Sequence, residues 1–129
     1  MEKPITGIVI NCSYEAGQSL SLIKGGNLQT GLSIFRKPPY TLHGNSSINM
    51  TEYIALLMAA WYRYQRNPDD IIYSNNDAAI KWFLSGEVKS KIELGSEVEK
   101  VKKEFESKIE RKMRTGVEKW RKEWGAIPV

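Results

Sequence analysis

The chain has one cysteine, one histidine and no long apolar run, and these shortages exclude several classes of protein. Cys12 alone cannot form an internal disulfide or a CxxC metal site. No apolar run approaches the roughly 18 residues that a membrane-spanning helix needs. Residues 1–4 also lack the basic and then apolar plan of a secretory signal. We therefore expect a cytoplasmic protein with no membrane partner, in the host cytoplasm if its origin is viral.

The chain does contain enough apolar material for one core. At 129 residues with 41% hydrophobic content, it has the size and composition of a single globular domain over residues 1–129. This composition argues against a disordered chain.

The positive charge is concentrated late in the sequence. The net charge is +4, and residues 97–124 carry ten Lys and Arg against seven Glu. Such a segment can contact nucleic acid or an acidic partner, although a solvated helix with mixed charges explains it equally well. The candidate contact residues here are Lys100, Lys103, Arg111 and Arg114.

The first third of the chain has the pattern of an antiparallel sheet. Apolar and β-branched residues predict strands over residues 5–13, 19–24 and 28–36. The sequence Gly25-Gly26-Asn27 predicts the hairpin turn between the second and third strands.

The middle of the chain alternates helix and strand signals. Helix-capping residues at 44–47 and a stop at Asn67-Pro68 predict a helix between them. A short strand follows over residues 69–74. Asn75 or Asn76 then caps a second helix that ends near Gly86.

The last third predicts a long amphipathic helix and a final strand. Ser96 and Glu99 fit a capping box, and the helix is expected to run to Arg114 before Gly116. Residues 117–124 fit a strand or a helix, and we favour a fifth strand. The predicted fold is α/β with a mixed sheet, in the order β-β-β-α-β-α-(α)-β.

Three motifs in this order carry a family resemblance. Asn11 ends the first apolar run, Glu52 lies near the start of the first helix, and Asn75 ends the strand before the second helix. The stretches 49–55 and 72–82, with the ending 124–128, resemble corresponding segments of the ribonuclease HI family, which has the ribonuclease H-like fold. The resemblance covers nearly the whole chain.

The resemblance implies a degenerate nuclease site. The family cleaves RNA in RNA–DNA hybrids with two Mg²⁺ ions, which the acids Asp, Glu and Asp hold at the positions of Asn11, Glu52 and Asn75. A neutral amide is a poor substitute for a carboxylate that bridges two dications. A further family acid normally follows the tail proline, and this chain ends at Val129, directly after Pro128. We expect no metal site, no catalytic residue and no cofactor, with Mg²⁺ relevant only if residual activity exists.

The resulting hypothesis is a catalytically inactive protein that acts by binding. We expect a protein or ribonucleoprotein partner, with RNA as a further candidate ligand. The concrete candidate is a phage anti-CRISPR protein that engages an RNA-guided effector or its guide RNA. Ser13 beside Asn11, and Asn49 at a family position that touches nucleic acid, are candidate contacts. Arg63 and Arg66, near the end of the first helix, form an aromatic–basic patch with Tyr62 and Tyr64 if they face outward.

Two alternatives remain open at this stage. The chain could be a ribonuclease HI that was inactivated by Asp-to-Asn substitution. It could also be an active hydrolase in which Asp77 works with Glu52, although Asp77 is more simply a favourable charge in the first turn of the second helix.

Overall fold

A computed structural model describes residues 2–129. Over these residues the chain forms a five-stranded mixed sheet and three α-helices, so the α/β class is confirmed in this general form. The elements are β1 (Ile8–Glu15), β2 (Leu20–Asn27), β3 (Tyr40–His43), α1 (Ile48–Arg66), β4 (Ile72–Ser74), α2 (Asp77–Ser85), α3 (Ser96–Lys108) and β5 (Val117–Lys119).

The sheet places β1 at its centre. Its strand order is β3-β2-β1-β4-β5, with β1 antiparallel to β2 and parallel to β4. Val9 lies opposite Tyr73 in the parallel pair. Asn11 lies two residues beyond Val9 on β1, and Asn75 directly follows the end of β4.

Helix α1 forms the centre of the core. It contacts β1, β2, β4, α2 and α3, and its residues 50–60 are all buried. A helix that is apolar on all sides must be covered on all sides, and the sheet and the other two helices provide that cover. The opposite face of the sheet carries a second cluster formed by Val9, Tyr73, Trp120 and Trp124.

The predicted caps of α1 and α2 are confirmed. The Ser47 side chain accepts a hydrogen bond from the backbone N–H of Met50, and α1 ends before Asn67. Asn76, rather than Asn75, caps α2, and Gly86 ends that helix in the left-handed conformation. No helix within residues 2–129 has the length and hydrophobicity that a membrane crossing requires.

The predicted hairpin at residues 25–27 is wrong, because both glycines lie inside β2. A Cβ at Gly25 would lie 2.7 Å from Cδ1 of Ile34, and one at Gly26 would lie 2.6 Å from Cγ1 of Val129. The glycines therefore allow other side chains to pack closely on the strand, and the chain turns after Asn27 instead. The third strand is consequently 40–43 rather than 28–36.

The predicted long helix from Ser96 to Arg114 begins at the expected residue, but its expected cap and its expected end are wrong. The capping position belongs to Gly95, whose backbone packs directly against Gly44, so Ser96 already lies in the first turn. The helix ends at Lys108, and residues 111–113 form a single 3₁₀ turn. The expected fifth strand is confirmed, but it covers only Val117–Lys119.

Candidate functional site

Glu52 contacts a sequence neighbour of each asparagine of the predicted site. It lies on α1, and its carboxylate accepts hydrogen bonds from the backbone N–H of Cys12 at 3.2 Å and from Oγ of Ser74 at 2.9 Å. Cys12 directly follows Asn11, and Ser74 directly precedes Asn75. The backbones of the three positions thus lie at one end of the β1–β4 pair, but the Asn11 side chain points to the face of the sheet opposite Glu52.

The Glu52 carboxylate is enclosed by protein. Glu52 is 2% exposed, and each of its carboxylate oxygens accepts one of these two hydrogen bonds. Burial raises the pKa of Glu52, while the hydrogen bonds from Ser74 and Cys12 act in the opposite direction. Burial, with the nearby Glu52, also raises the pKa of the Cys12 thiol well above its ordinary value, so Cys12 is a neutral thiol. Through its hydrogen bonds with Cys12 and Ser74, Glu52 joins α1 to β1 and β4.

Asn11 is also engaged, on the other face of the sheet. Side chains alternate along a strand, so Asn11 shares the face of Val9. Its Nδ2 donates to the backbone oxygen of Val129 at 3.1 Å. An aspartate at this position could not donate this bond. The Asn11 amide thus forms a hydrogen bond with the chain segment that packs over this face of the sheet.

The side chains around Asn75 form a polar link between two helix starts. Asn75 itself is exposed, and its neighbour Asn76 caps α2 by accepting from the N–H of Ala79. Nδ2 of Asn76 donates to Oδ1 of Asn49 at 2.9 Å, which joins the first turns of α1 and α2. Asn49 therefore has a structural partner, while Ser13 is exposed on β1.

Asp77, the candidate partner of Glu52, lies at the surface. It is exposed, and its carboxylate pairs with the Lys119 ammonium at 2.8 Å. Residues 2–129 contain no group of three or more His, Cys, Asp or Glu side chains arranged to hold a metal ion. Of the site positions only Glu52 offers a carboxylate, and its oxygens already have protein donors.

The structure separates the predicted basic contacts into two groups. Arg63 is buried, and it donates to the backbone oxygens of Asp70, Met113, Thr115 and Gly116. Arg114 is half-buried and donates to the carbonyl of Phe83 and the hydroxyl of Tyr53. Both side chains therefore hold the fold together, and Arg63 does not face outward as the predicted patch requires.

The other predicted cations are at the surface. Arg66, Lys100, Lys103 and Arg111 are exposed. The guanidinium of Arg66 lies 4.3 Å from the ring centroid of Tyr62, and Lys103 pairs with Glu99 one helical turn away. These residues remain available to a partner.

Ser74 is the site residue that the sequence reasoning missed. It is fully buried, donates to Glu52 and accepts from the backbone N–H of Asn76. Its position at the end of a short apolar strand is the only signal in the sequence that it points inward.

Comparison with models of protein families finds no match for this chain, and comparison with curated proteins finds no matching sequence.

Proposed function

We propose that this chain is a ribonuclease H-like domain without nuclease activity that acts by binding a protein or ribonucleoprotein partner. The element order β-β-β-α-β-α-α-β, which is the order that the family resemblance implies, supports this assignment. The mixed sheet centred on β1 supports it as well.

The environment of Glu52 is the observation that carries the proposal. Mg²⁺ requires near-octahedral oxygen coordination and gives up its waters reluctantly. Here the one remaining carboxylate is buried and accepts two protein hydrogen bonds, and the flanking positions are neutral amides. A metal ion at Glu52 would have to enter a buried site and share both carboxylate oxygens with protein donors.

The nuclease side of the proposal is tested by cleavage of an RNA–DNA hybrid in Mg²⁺ and in Mn²⁺. We expect no cleavage by the wild-type protein. Robust wild-type cleavage that disappears in Glu52→Gln would overturn the proposal, because it would show that Glu52 holds a metal. In Asn11→Asp/Asn75→Asp we expect no cleavage either, because the side chain at position 11 lies on the face of the sheet opposite Glu52.

We further propose that the partner is an RNA-guided CRISPR effector or its guide RNA. The exposed cations Lys100 and Lys103 on α3, with Arg66 and Arg111, support an acidic or nucleic-acid partner. The test is affinity purification from a CRISPR-bearing bacterial lysate, followed by mass spectrometry and RNA sequencing. We expect an effector and its guide RNA to be enriched, and less so with Lys100→Glu/Lys103→Glu. Enrichment of neither would contradict this assignment.

A further inference from the structure

A cleft lies between the end of α1 and residues 111–115. Its volume is about 210 Å³, and its walls include Ala60, Tyr64, Pro68 and Met113. Sites for drug-sized ligands usually measure about 300–1,000 Å³, so this cleft suits a smaller group, such as a single aromatic ring system. From Glu52 to Arg63 the helix advances roughly 16 Å, so the cleft is well separated from the degenerate site.

The cleft has a positive floor. The Arg63 guanidinium lines it and bonds only to backbone carbonyls. No carboxylate of residues 2–129 forms an ion pair with Arg63, although Asp70 is near enough to influence its charge. A buried positive charge without an anionic partner favours an anion in the space next to it.

The rim of the cleft adds a second cation. The Lys112 side chain lines the cleft, and its ammonium lies 3.3 Å from the Glu110 carboxylate. Both side chains are more than two-thirds exposed, and a pair of this kind is worth about 0–1 kcal/mol. Lys112 can therefore leave Glu110 for a more strongly charged ligand such as a phosphate.

Tyr64 is the aromatic residue of the cleft lining, and its ring stacks on that of Trp61. The rings of Trp61 and Tyr64 are nearly parallel, with an interplanar angle of 15° and centroids 5.8 Å apart. Tyr64 lines the cleft and is 50% exposed. A planar ligand on Tyr64 would extend this stack by one ring, and bases of single-stranded nucleic acid bind to exposed aromatic rings in this way.

We infer that this cleft binds one unpaired nucleotide of a single-stranded RNA, with the base against Tyr64 and a phosphate at Lys112. The combination of a flat aromatic wall, a small volume and two cations matches a base joined to a phosphate. An acidic peptide would satisfy the cations but would leave the aromatic wall unused. The inference goes beyond the proposed function and does not depend on the state of the nuclease site.

Fluorescence anisotropy with a labelled short single-stranded RNA tests the inference. We expect Tyr64→Ala to weaken binding by about tenfold or more, and Tyr64→Phe to bind like the wild type, because only the ring is needed. Lys112→Gln should lower the slope of log K against log salt by about 0.7, the value for one phosphate contact on a single strand. Lys81→Gln, which removes an exposed lysine on α2, is the matched control and should leave the binding constant and its salt slope close to wild type.

Several results would overturn the inference. These are the absence of binding to the RNA, equal binding by Tyr64→Ala and wild type, and equal weakening by Lys81→Gln and Lys112→Gln. Free AMP or polyglutamate that competes at the same concentration as the RNA would also overturn the assignment to RNA. Thermal unfolding of each variant verifies that it is folded, so lost binding is not confused with lost structure.

Discussion

Helix α1 carries two buried charges, and their environments can be compared directly. Glu52, near its start, accepts from the Cys12 backbone and the Ser74 hydroxyl. Arg63, near its end, donates to carbonyls of the segments that lead into β4 and β5. Neither side chain has an ion-pair partner among residues 2–129.

Glu52 and Arg63 are candidate functional residues in the sequence, and the comparison shows that both stabilise the fold. Burial of a charge costs several kcal/mol unless hydrogen bonds compensate it. Glu52 receives two such bonds and ties α1 to the centre of the sheet, while Arg63 makes four and ties it to the edge. The charged bonds are therefore the means by which the central helix is fixed in position on the strands.

The largest expected effect is at Arg63. Arg63→Ala removes the four hydrogen bonds that this side chain donates, although the Gly116 carbonyl keeps its bond from the Ile72 N–H, and bonds to charged groups contribute about 1.5–3 kcal/mol each. Because water can replace some of them, we expect a loss of at least about 3 kcal/mol in the free energy of unfolding, measured with urea. The control Arg66→Ala removes an exposed cation over Tyr62 and should cost about 0.5–1 kcal/mol. Equal effects of the two substitutions would refute the structural role of Arg63.

The second-largest effect on the free energy of unfolding is expected at Glu52, and this effect depends on pH. Because burial raises its pKa, the folded protein binds more protons than the unfolded chain between the two pKa values. The stability that Glu52 contributes is thus full below its ordinary pKa and is lost as the pH rises through the raised value. Glu52→Gln does not titrate, and we expect it to cost about 1 kcal/mol at low pH.

The difference between wild type and Glu52→Gln should shrink as the pH rises from about 4 to about 7. Urea unfolding across this pH range measures it. A difference that grows with pH would mean that the ionised carboxylate is favoured by folding, contrary to the environment described above.

A smaller effect is expected at Asn11. Asn11→Asp removes the donor to Val129 and sets a carboxylate beside that oxygen, at a cost of about 1 kcal/mol. Hydrogen exchange with mass spectrometry should show faster exchange in residues 125–129. Asn75→Asp is the matched control, because Asn75 is exposed and should leave this segment unchanged. Unchanged exchange in Asn11→Asp would show that the amide does not hold the segment.

The smallest effect is expected for an exposed charge. Lys103→Gln removes a pair with Glu99 on the surface of α3 and should cost about 0.3–0.5 kcal/mol. Thermal unfolding at low and high salt measures this, and the difference should vanish at high salt. If Lys103→Gln lowered the free energy of unfolding as much as Arg63→Ala does, buried and exposed charges would not differ in their contribution to stability.

The parts of the fold that depend on local signals were predictable. The ends of α1 follow from Ser47 and Asn67-Pro68, and α2 lies between its cap at Asn76 and Gly86. These signals act over one helical turn, so the sequence contains them completely.

The parts that depend on distant contacts were not predictable. Gly25 and Gly26 resemble a turn, but Ile34 and Val129 pack over them within the sheet. The chain from Met113 to Gly116 cannot continue as a helix while its carbonyls accept from Arg63. The hydrogen bonds that occupy Glu52 also depend on distant contacts, so the spacing of the three site positions did not predict them.

The account's central claim is that the oxygens of Glu52 serve the fold and hold no metal. Titration of the protein with Mn²⁺, followed by electron paramagnetic resonance of the free ion, tests this most directly. We predict that wild type and Glu52→Gln give the same titration curve, with no specific site at millimolar Mn²⁺. Saturable binding by the wild type that Glu52→Gln abolishes would contradict the account.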